Sequence, residues 1–171
     1  MLKQDELLFV VDDKNNPIKP LPRFLVHEKG YWHRTAHIWV VNKKKQILCH
    51  QRSLFKDIAP GNWDPYFGGH IGPNVSYEDG AILELKEETG IQAEKKDLQF
   101  YEVYKNKISK EFQGIFLYIW EGKSEMLSVE EDEVAQIIWM PLKKVEQFIS
   151  GEIKGWSPIP YAKTILEKLS T

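Results

Sequence analysis

Apolar residues in this chain fall into short runs divided by polar turns. Leu7-Leu8-Phe9-Val10-Val11 predicts a strand, and Asp12 to Asn16 predicts the turn after it. Pro17 to Pro22 is too rich in proline for a central strand. Ala36 to Val41 and Gln46 to Gln51 flank Lys43-Lys44-Lys45 and predict a β-hairpin with a solvated lysine turn. Lys56 to Gly61 contains Pro-Gly and predicts a loop, with Trp63 to Phe67 a candidate strand beyond it. Leu98 to Tyr104 and Gly114 to Trp120 predict a second strand pair that turns over Lys105 to Lys110. Ile137 to Met140 predicts a short strand stopped by Pro141. Leu142 to Ile149 and Tyr161 to Leu169 are candidate helices, and no repeat or low-complexity linker interrupts the chain.

One helix is marked at both ends. Ser76 and Asp79 make an S-x-x-D capping pattern, and Gly90 after Thr89 supplies a left-handed stop. Ala81, Ile82 and Leu85 share the face that packs on the sheet. Strands, one early helix, more strands and then helices predict an α+β fold, with helices packed on a mixed sheet rather than a regular alternation.

At 171 residues the chain fits a single domain with a real core. It is 42% apolar and 28% charged, with formal net charge −2, which gives no electrostatic reason to expect a nucleic-acid polymer or a membrane as partner. The single cysteine, Cys49, excludes an internal disulfide and sits in an apolar run where a buried thiol is expected. No run approaches the length of a membrane span, and MLKQDELLFVV carries charges too early for a signal peptide, so a cytoplasmic location is expected.

The early helix carries unusual charge. Glu84, Glu87 and Glu88 stand in i, i+3, i+4 relation on one face, where like charges repel by a few tenths of a kcal/mol per pair, about the magnitude of an opposite-charge pair. A solvated acidic face is one explanation. The other is a hard dication such as Mg²⁺ or Mn²⁺, which takes oxygen ligands and reverses the sign of the problem.

The stretch GGHIGPNVSYEDGAILELKEETGI, 68–91, resembles the Nudix box, G-x5-E-x7-R-E-U-x-E-E-x-G-U, where U is a bulky aliphatic. Glu87-Glu88-Thr89-Gly90-Ile91 matches its end, Glu84-Leu85-Lys86 matches E-U-x, and Gly69 falls on its opening glycine. His33-Arg34-Thr35-Ala36, Gln51-Arg52-Ser53, Lys56-Asp57, Ala59-Pro60-Gly61, Trp63-Asp64 and Gly68-Gly69-His70 are similar to the Nudix branch near isopentenyl diphosphate isomerases. The resemblance implies an α/β/α sandwich with a mixed sheet between helices. It implies one Nudix domain over 1–171, with an N-terminal β extension at 1–30, the box at 69–91 and a C-terminal helix at 156–171. It further implies a metal-dependent hydrolase that cleaves the pyrophosphate bond of a nucleoside diphosphate derivative or similar small diphosphate with Mg²⁺ or Mn²⁺. By position, Glu84, Glu87 and Glu88 would be metal ligands and catalytic acids, with Gly69 offering its carbonyl. Many relatives are dimers, so a homodimer through the N-terminal strands is an open expectation.

Val75 stands where the box has its first Glu, and Leu83 where it has Arg. In the family these two residues form a salt bridge. Replacing both partners by apolar groups can be neutral, whereas losing one strands a charge. A Val75–Leu83 contact is expected in place of the ion pair; a decayed, non-catalytic binding module is the other explanation. Arg52 resembles a phosphate-contacting arginine, and a surface ion pair would explain it equally. His70 could touch metal or phosphate, or merely occupy a turn. His33 and His37 could form a metal pair at i, i+4 on one strand face, with a structural role favoured for His37. Glu133 lies where relatives often place an acid near metal or water, while Trp63 and Tyr66 suit either core or pocket. An isomerase would need a cysteine where this chain has Gly68.

Overall fold

The structure is a computed structural model that describes residues 6–55, 59–129 and 134–170. Its strands are β1 (Leu7–Val11), β2 (Pro17–Pro22), β3 (His33–Val41), β4 (Gln46–Arg52), β5 (Trp63–Asp64), β6 (Phe67–His70), β7 (Leu98–Asn106), β8 (Glu111–Ile119) and β9 (Val134–Pro141). Its helices are α1 (Arg23–Lys29), α2 (Tyr77–Thr89), α3 (Leu142–Ile149) and α4 (Ala162–Ser170). All nine strands join one mixed sheet, in which β3 runs parallel to β8 and antiparallel to β6.

Strand alternation builds a core on each face of the sheet. Ala36, Ile38 and Val40 of β3, with Phe116 and Tyr118 of β8, meet Ala81 and Leu85 of α2. Trp39, Val41, Ile115 and Leu117 turn the other way, toward Val145 of α3 and Ile165 and Leu166 of α4. The sheet therefore lies between helices, as expected. Both faces of β3 and β8 are covered, which explains their nearly continuous apolar runs. Cys49 is buried in this second core, and burial pushes its thiol pKa well up.

Three expectations change. Lys43-Lys44-Lys45 does sit in a turn, but β3 and β4 share only the pair Val41–Ile47 before they part. β8 takes one edge of β3 along its whole length, and β6 pairs with Thr35 to Ile38 on the other edge that a simple hairpin would give to β4. β4 pairs instead with β9 and β5. The N-terminal segment is not purely β, because α1 follows β2 and is held by Val26 against Leu8 and Val10. Pro22 precedes α1 without any side-chain cap, so the sequence carried no start signal. The C-terminal helix begins at Ala162, not at 156. Pro17–Pro22, as expected, is no central strand: it is an edge strand paired with β1 alone, where proline is tolerated.

Two features of β3 and β6 set stability. His37 is buried, stacked on Tyr66 at 4.0 Å between ring centres, with Nδ1 2.6 Å from the Tyr161 hydroxyl. Burial lowers its pKa to about 4, against the pull of Glu111, so it is neutral in the fold. Gly68 has φ 149°, and a Cβ there would fall 1.9 Å from the Ala36 carbonyl oxygen. Only glycine lets β6 approach β3 this closely.

The unfolded chain protonates His37 near pH 6.5 and the native chain only near 4, so this group destabilises the fold as pH falls through that window. The expected loss is on the order of 3 kcal/mol by pH 4, read as falling urea midpoints, with a flatter dependence in His37→Gln. Gly68→Ala should cost more than about 2 kcal/mol. Gly151→Ala, also at positive φ but with open space around it, should cost only about 1 kcal/mol; urea denaturation of the two variants compares clash with strain alone.

Candidate active site

The orientation of α2 follows from its ends and its buried face. Ser76 Oγ accepts the Asp79 amide at 3.1 Å, a cap worth about 1 kcal/mol. Gly90, at φ 77°, closes the last turn with its amide on the Lys86 carbonyl. Ala81 and Leu85 are fully buried, while Ile82 is only partly so. This seating turns Glu84 and Glu88 toward β6. The Glu88 carboxylate accepts the Gly68 amide at 2.7 Å. The Glu84 carboxylate lies against Gly69, where an added Cβ would meet its oxygens at 2.5 and 2.7 Å. Glu87 faces solvent.

The structure thus brings Glu84, Glu88 and Gly69 together, with Glu87 beside them on the exposed flank. Glu84 and Glu88 beside the β6 backbone offer oxygen donors alone, the kind that hard dications take. The bare Cα of Gly69 leaves room beside Glu84 that any side chain would fill. These residues fit Mg²⁺ or Mn²⁺.

The two box departures have different surroundings. Val75 is half-buried and packs on the cluster that holds Ile71, Ala81 and Leu85. Leu83 stands outside that cluster with 50% of its surface exposed. What buries Val75 is thus the α2 core, and Leu83 is not sealed beneath the loop that carries Val75.

Arg52 ends β4 with Nη1 3.6 Å from the buried Asp64 carboxylate. Burial pushes the Asp64 pKa up, while a Ser157 hydrogen bond and the Arg52 charge work against that rise. Trp63 is partly buried against the second core, and Tyr66 stacks on His37. His37 joins that aromatic layer and Tyr161, so it does not pair with His33 as a metal couple. Glu133 lies outside the described residues.

His33 and His70 instead meet His27, which the sequence reading did not single out. The three rings form a near-equilateral triangle, with centroids 5.1, 5.1 and 5.2 Å apart. Burial lowers the His70 pKa to about 3, aided by Arg23, His33 and His27. Burial, His33 and Arg23 lower that of His27. Glu111, also missed, stands beside His33 with Oε1 3.7 Å from Nε2. Burial works to raise its pKa, but His33, His37 and the Gln113 amide outweigh it and keep the carboxylate ionised. The available signal was the repeat of histidine at 27, 33 and 70, hidden because His27 lies on a helix with no cap motif.

The described helices include none long and apolar enough to cross a membrane. The NUDIX domain model matches residues 31–160. An uncharacterized Nudix hydrolase of Clostridium acetobutylicum is 35% identical over 162 residues, covering 89% of this chain and 78% of that protein. Isopentenyl-diphosphate Delta-isomerase 2 of Photorhabdus laumondii is 28% identical over 151 residues, covering 86% of this chain and 84% of its own. A crystal structure from Deinococcus radiodurans shares the fold at a TM-score of 0.74 with 14% identity, covering 97% of this chain and all of that one. The domain match spans most of the chain and includes the glutamate helix and its glycine strand, and the chain therefore belongs to the Nudix family, as a Nudix-type hydrolase.

Proposed function

We propose that the chain cleaves the pyrophosphate bond of a nucleoside diphosphate derivative or similar small diphosphate, by water attack on phosphorus, with Glu84, Glu87, Glu88 and the Gly69 carbonyl holding Mg²⁺ or Mn²⁺. The observation that carries this reading is the apposition of α2 to β6, which sets Glu88 on the Gly68 amide and Glu84 against bare Gly69. A bound dication would supply charge neutralisation at the phosphate oxygens and a more acidic attacking water.

The chain's own residues then have distinct tasks. The Gly68 amide fixes one Glu88 oxygen and so orients the other. Glu84 is confined by the β6 backbone, which limits the rotamers it must lose on binding. Glu87 is exposed, so it can meet an incoming substrate without rearrangement. The proton of the attacking water passes to one of these carboxylates or to Glu133. Arg52 is the proposed phosphate contact, steadied by Asp64. His70 has no place in this set, because its Nε2 is directed at His27.

Two other readings are separable. An isomerase would need a thiol at Gly68, and a Cβ there meets the Ala36 carbonyl oxygen at 1.9 Å. The backbone of β6 as it stands accepts no cysteine at that position. A non-catalytic binding module rests on Val75 and Leu83, but Leu83 is half-exposed, where loss of an arginine has little structural consequence.

A panel of nucleoside diphosphate derivatives, dinucleotides, nucleotide sugars and isoprenoid diphosphates, assayed for phosphate and nucleotide release with Mg²⁺ or Mn²⁺, tests the assignment. Turnover on one class should disappear with a chelator and fall at least about 100-fold in kcat in Glu88→Gln. Substrate binding without turnover anywhere on the panel would favour the binding module. Leu83→Arg should change stability by less than about 0.5 kcal/mol in urea denaturation, and a larger loss would show that the aliphatic replacement is structurally required.

A further inference from the structure

The glutamate helix has a further attachment, at its first residue. Tyr77 opens α2, and Glu84 and Glu88 follow it by seven and eleven positions. At 3.6 residues per turn, both glutamates fall within about 20° of the line through Tyr77 along the helix. Whatever holds Tyr77 therefore fixes the direction in which both carboxylates point.

Two strands and the N-terminal turn converge on that ring. The Tyr77 hydroxyl donates to the Phe112 carbonyl of β8 at 3.2 Å and accepts the Asn15 side-chain amide at 3.3 Å. Burial pushes the Tyr77 pKa up, so the phenol keeps the proton it donates. The guanidinium carbon of Arg34, on β3, stands 5.4 Å from the centre of this ring and 5.5 Å from that of Phe9. Arg34 is itself fixed by Asn15, donating from Nε to its side-chain oxygen at 2.8 Å and from Nη2 to its carbonyl at 2.7 Å. The ring also lies against Gly114 of β8, where an added Cβ would fall 2.3 Å from it.

The support behind Asn15 is local. It sits at φ 69° in the turn after β1, a left-handed conformation that asparagine tolerates better than most residues. Asp12 closes that turn, its Oδ1 accepting the amides of Lys14 and Asn16, each at 2.8 Å.

Core packing holds the rotation of α2 only loosely. Its buried residues are Gly80, Ala81, Leu85 and Thr89. Leu85 is the one large apolar side chain among these four, and small side chains make few of the contacts that resist turning. The Ser76 cap fixes where the helix starts rather than how it is turned.

We infer that Tyr77, clamped by Arg34, Asn15 and the bare Gly114, is a positioning residue that sets the rotation of α2 and so aims Glu84 and Glu88 at β6. The inference rests on the reading of those glutamates as the dication site. A carboxylate about 5 Å from the helix axis moves about 1 Å for roughly 10° of rotation, and a misplacement of about 1 Å can cost about 100-fold in rate. The turn at 12–16 is thus part of the active-site scaffold, although it touches no reacting group. The alternative is a clamp that only stabilises, with α2 turned correctly by its core.

The Gly68 amide, which donates to Glu88 at 2.7 Å, reports the rotation directly. Wild type, Tyr77→Phe, Asn15→Gly and Arg34→Met would be compared by amide hydrogen exchange, by urea denaturation, and by kcat and KM on the diphosphate that wild type turns over. Tyr77→Phe keeps the ring and removes the hydroxyl, and Asn15→Gly keeps the left-handed turn. Exchange at Gly68 should quicken at least about 10-fold in each variant, with smaller changes at the Trp39 and Val40 amides. In the same variants kcat should fall about 10-fold with KM unchanged. Unchanged Gly68 exchange, or unchanged kcat in a chain that does turn over, would overturn the inference and leave Tyr77 a stabilising contact, read only in lower urea midpoints. If Gly68 exchange responds while wild type turns over no diphosphate, the glutamate chemistry fails and the seating of α2 by Tyr77 stands. If Arg34→Met does not fold, Tyr77→Phe and Asn15→Gly decide in the same way.

Discussion

The close approach of Gly68 to Ala36 is the constraint on which the rest of this structure depends. A bare Cα at positive φ lets β6 lie against β3 where any side chain would strike the Ala36 carbonyl. From that one approach, three consecutive residues take up different work. The Gly68 amide meets Glu88, the empty side of Gly69 meets Glu84, and His70 reaches His33 and His27. The short strand thus acts as a ruler that fixes α2 on one side and the histidine cluster on the other. Its geometry also bars any side chain from Gly68.

Burial carries a second consequence along the same strands. His33, Thr35 and His37 alternate toward one face of β3, and Glu111 and Gln113 answer them from β8. A line of polar groups in a sheet otherwise built from Trp39, Ile115 and Leu117 costs stability unless each finds a partner. His37 finds Tyr161 and Tyr66 and stays neutral. His33 finds Tyr31 with one nitrogen only. The contrast separates a histidine held by two aromatic partners from one whose Nε2 faces the Glu111 carboxylate at 3.7 Å.

Much of this was legible in the sequence, for identifiable reasons. α2 announced itself through Ser76 and Gly90, whose capping is local chemistry. α3 matched its expected span because Pro141 and an apolar stripe define it. The parting of β3 from β4 was not legible, because strand partners are chosen by the whole sheet and β6 competes for the same edge. α1 was missed because seven residues with no cap have no local signature and are held by Val26 in tertiary contact. That omission hid His27, and with it the triad. At the glutamate site the motif gave residue identities, whereas the separate settings of Val75 and Leu83 depend on how the loop seats on the core.

Anomalous diffraction from crystals soaked with Mn²⁺ and a non-hydrolysable methylene diphosphonate would test the central claim most directly, that β6 seats the α2 carboxylates as a dication-holding catalytic site. The account predicts an anomalous peak within coordination distance of Glu84 and Glu88 and of the Gly69 carbonyl, with the diphosphonate oxygens on the same ion. A diphosphonate bound elsewhere, with no Mn²⁺ peak at those carboxylates, would contradict it.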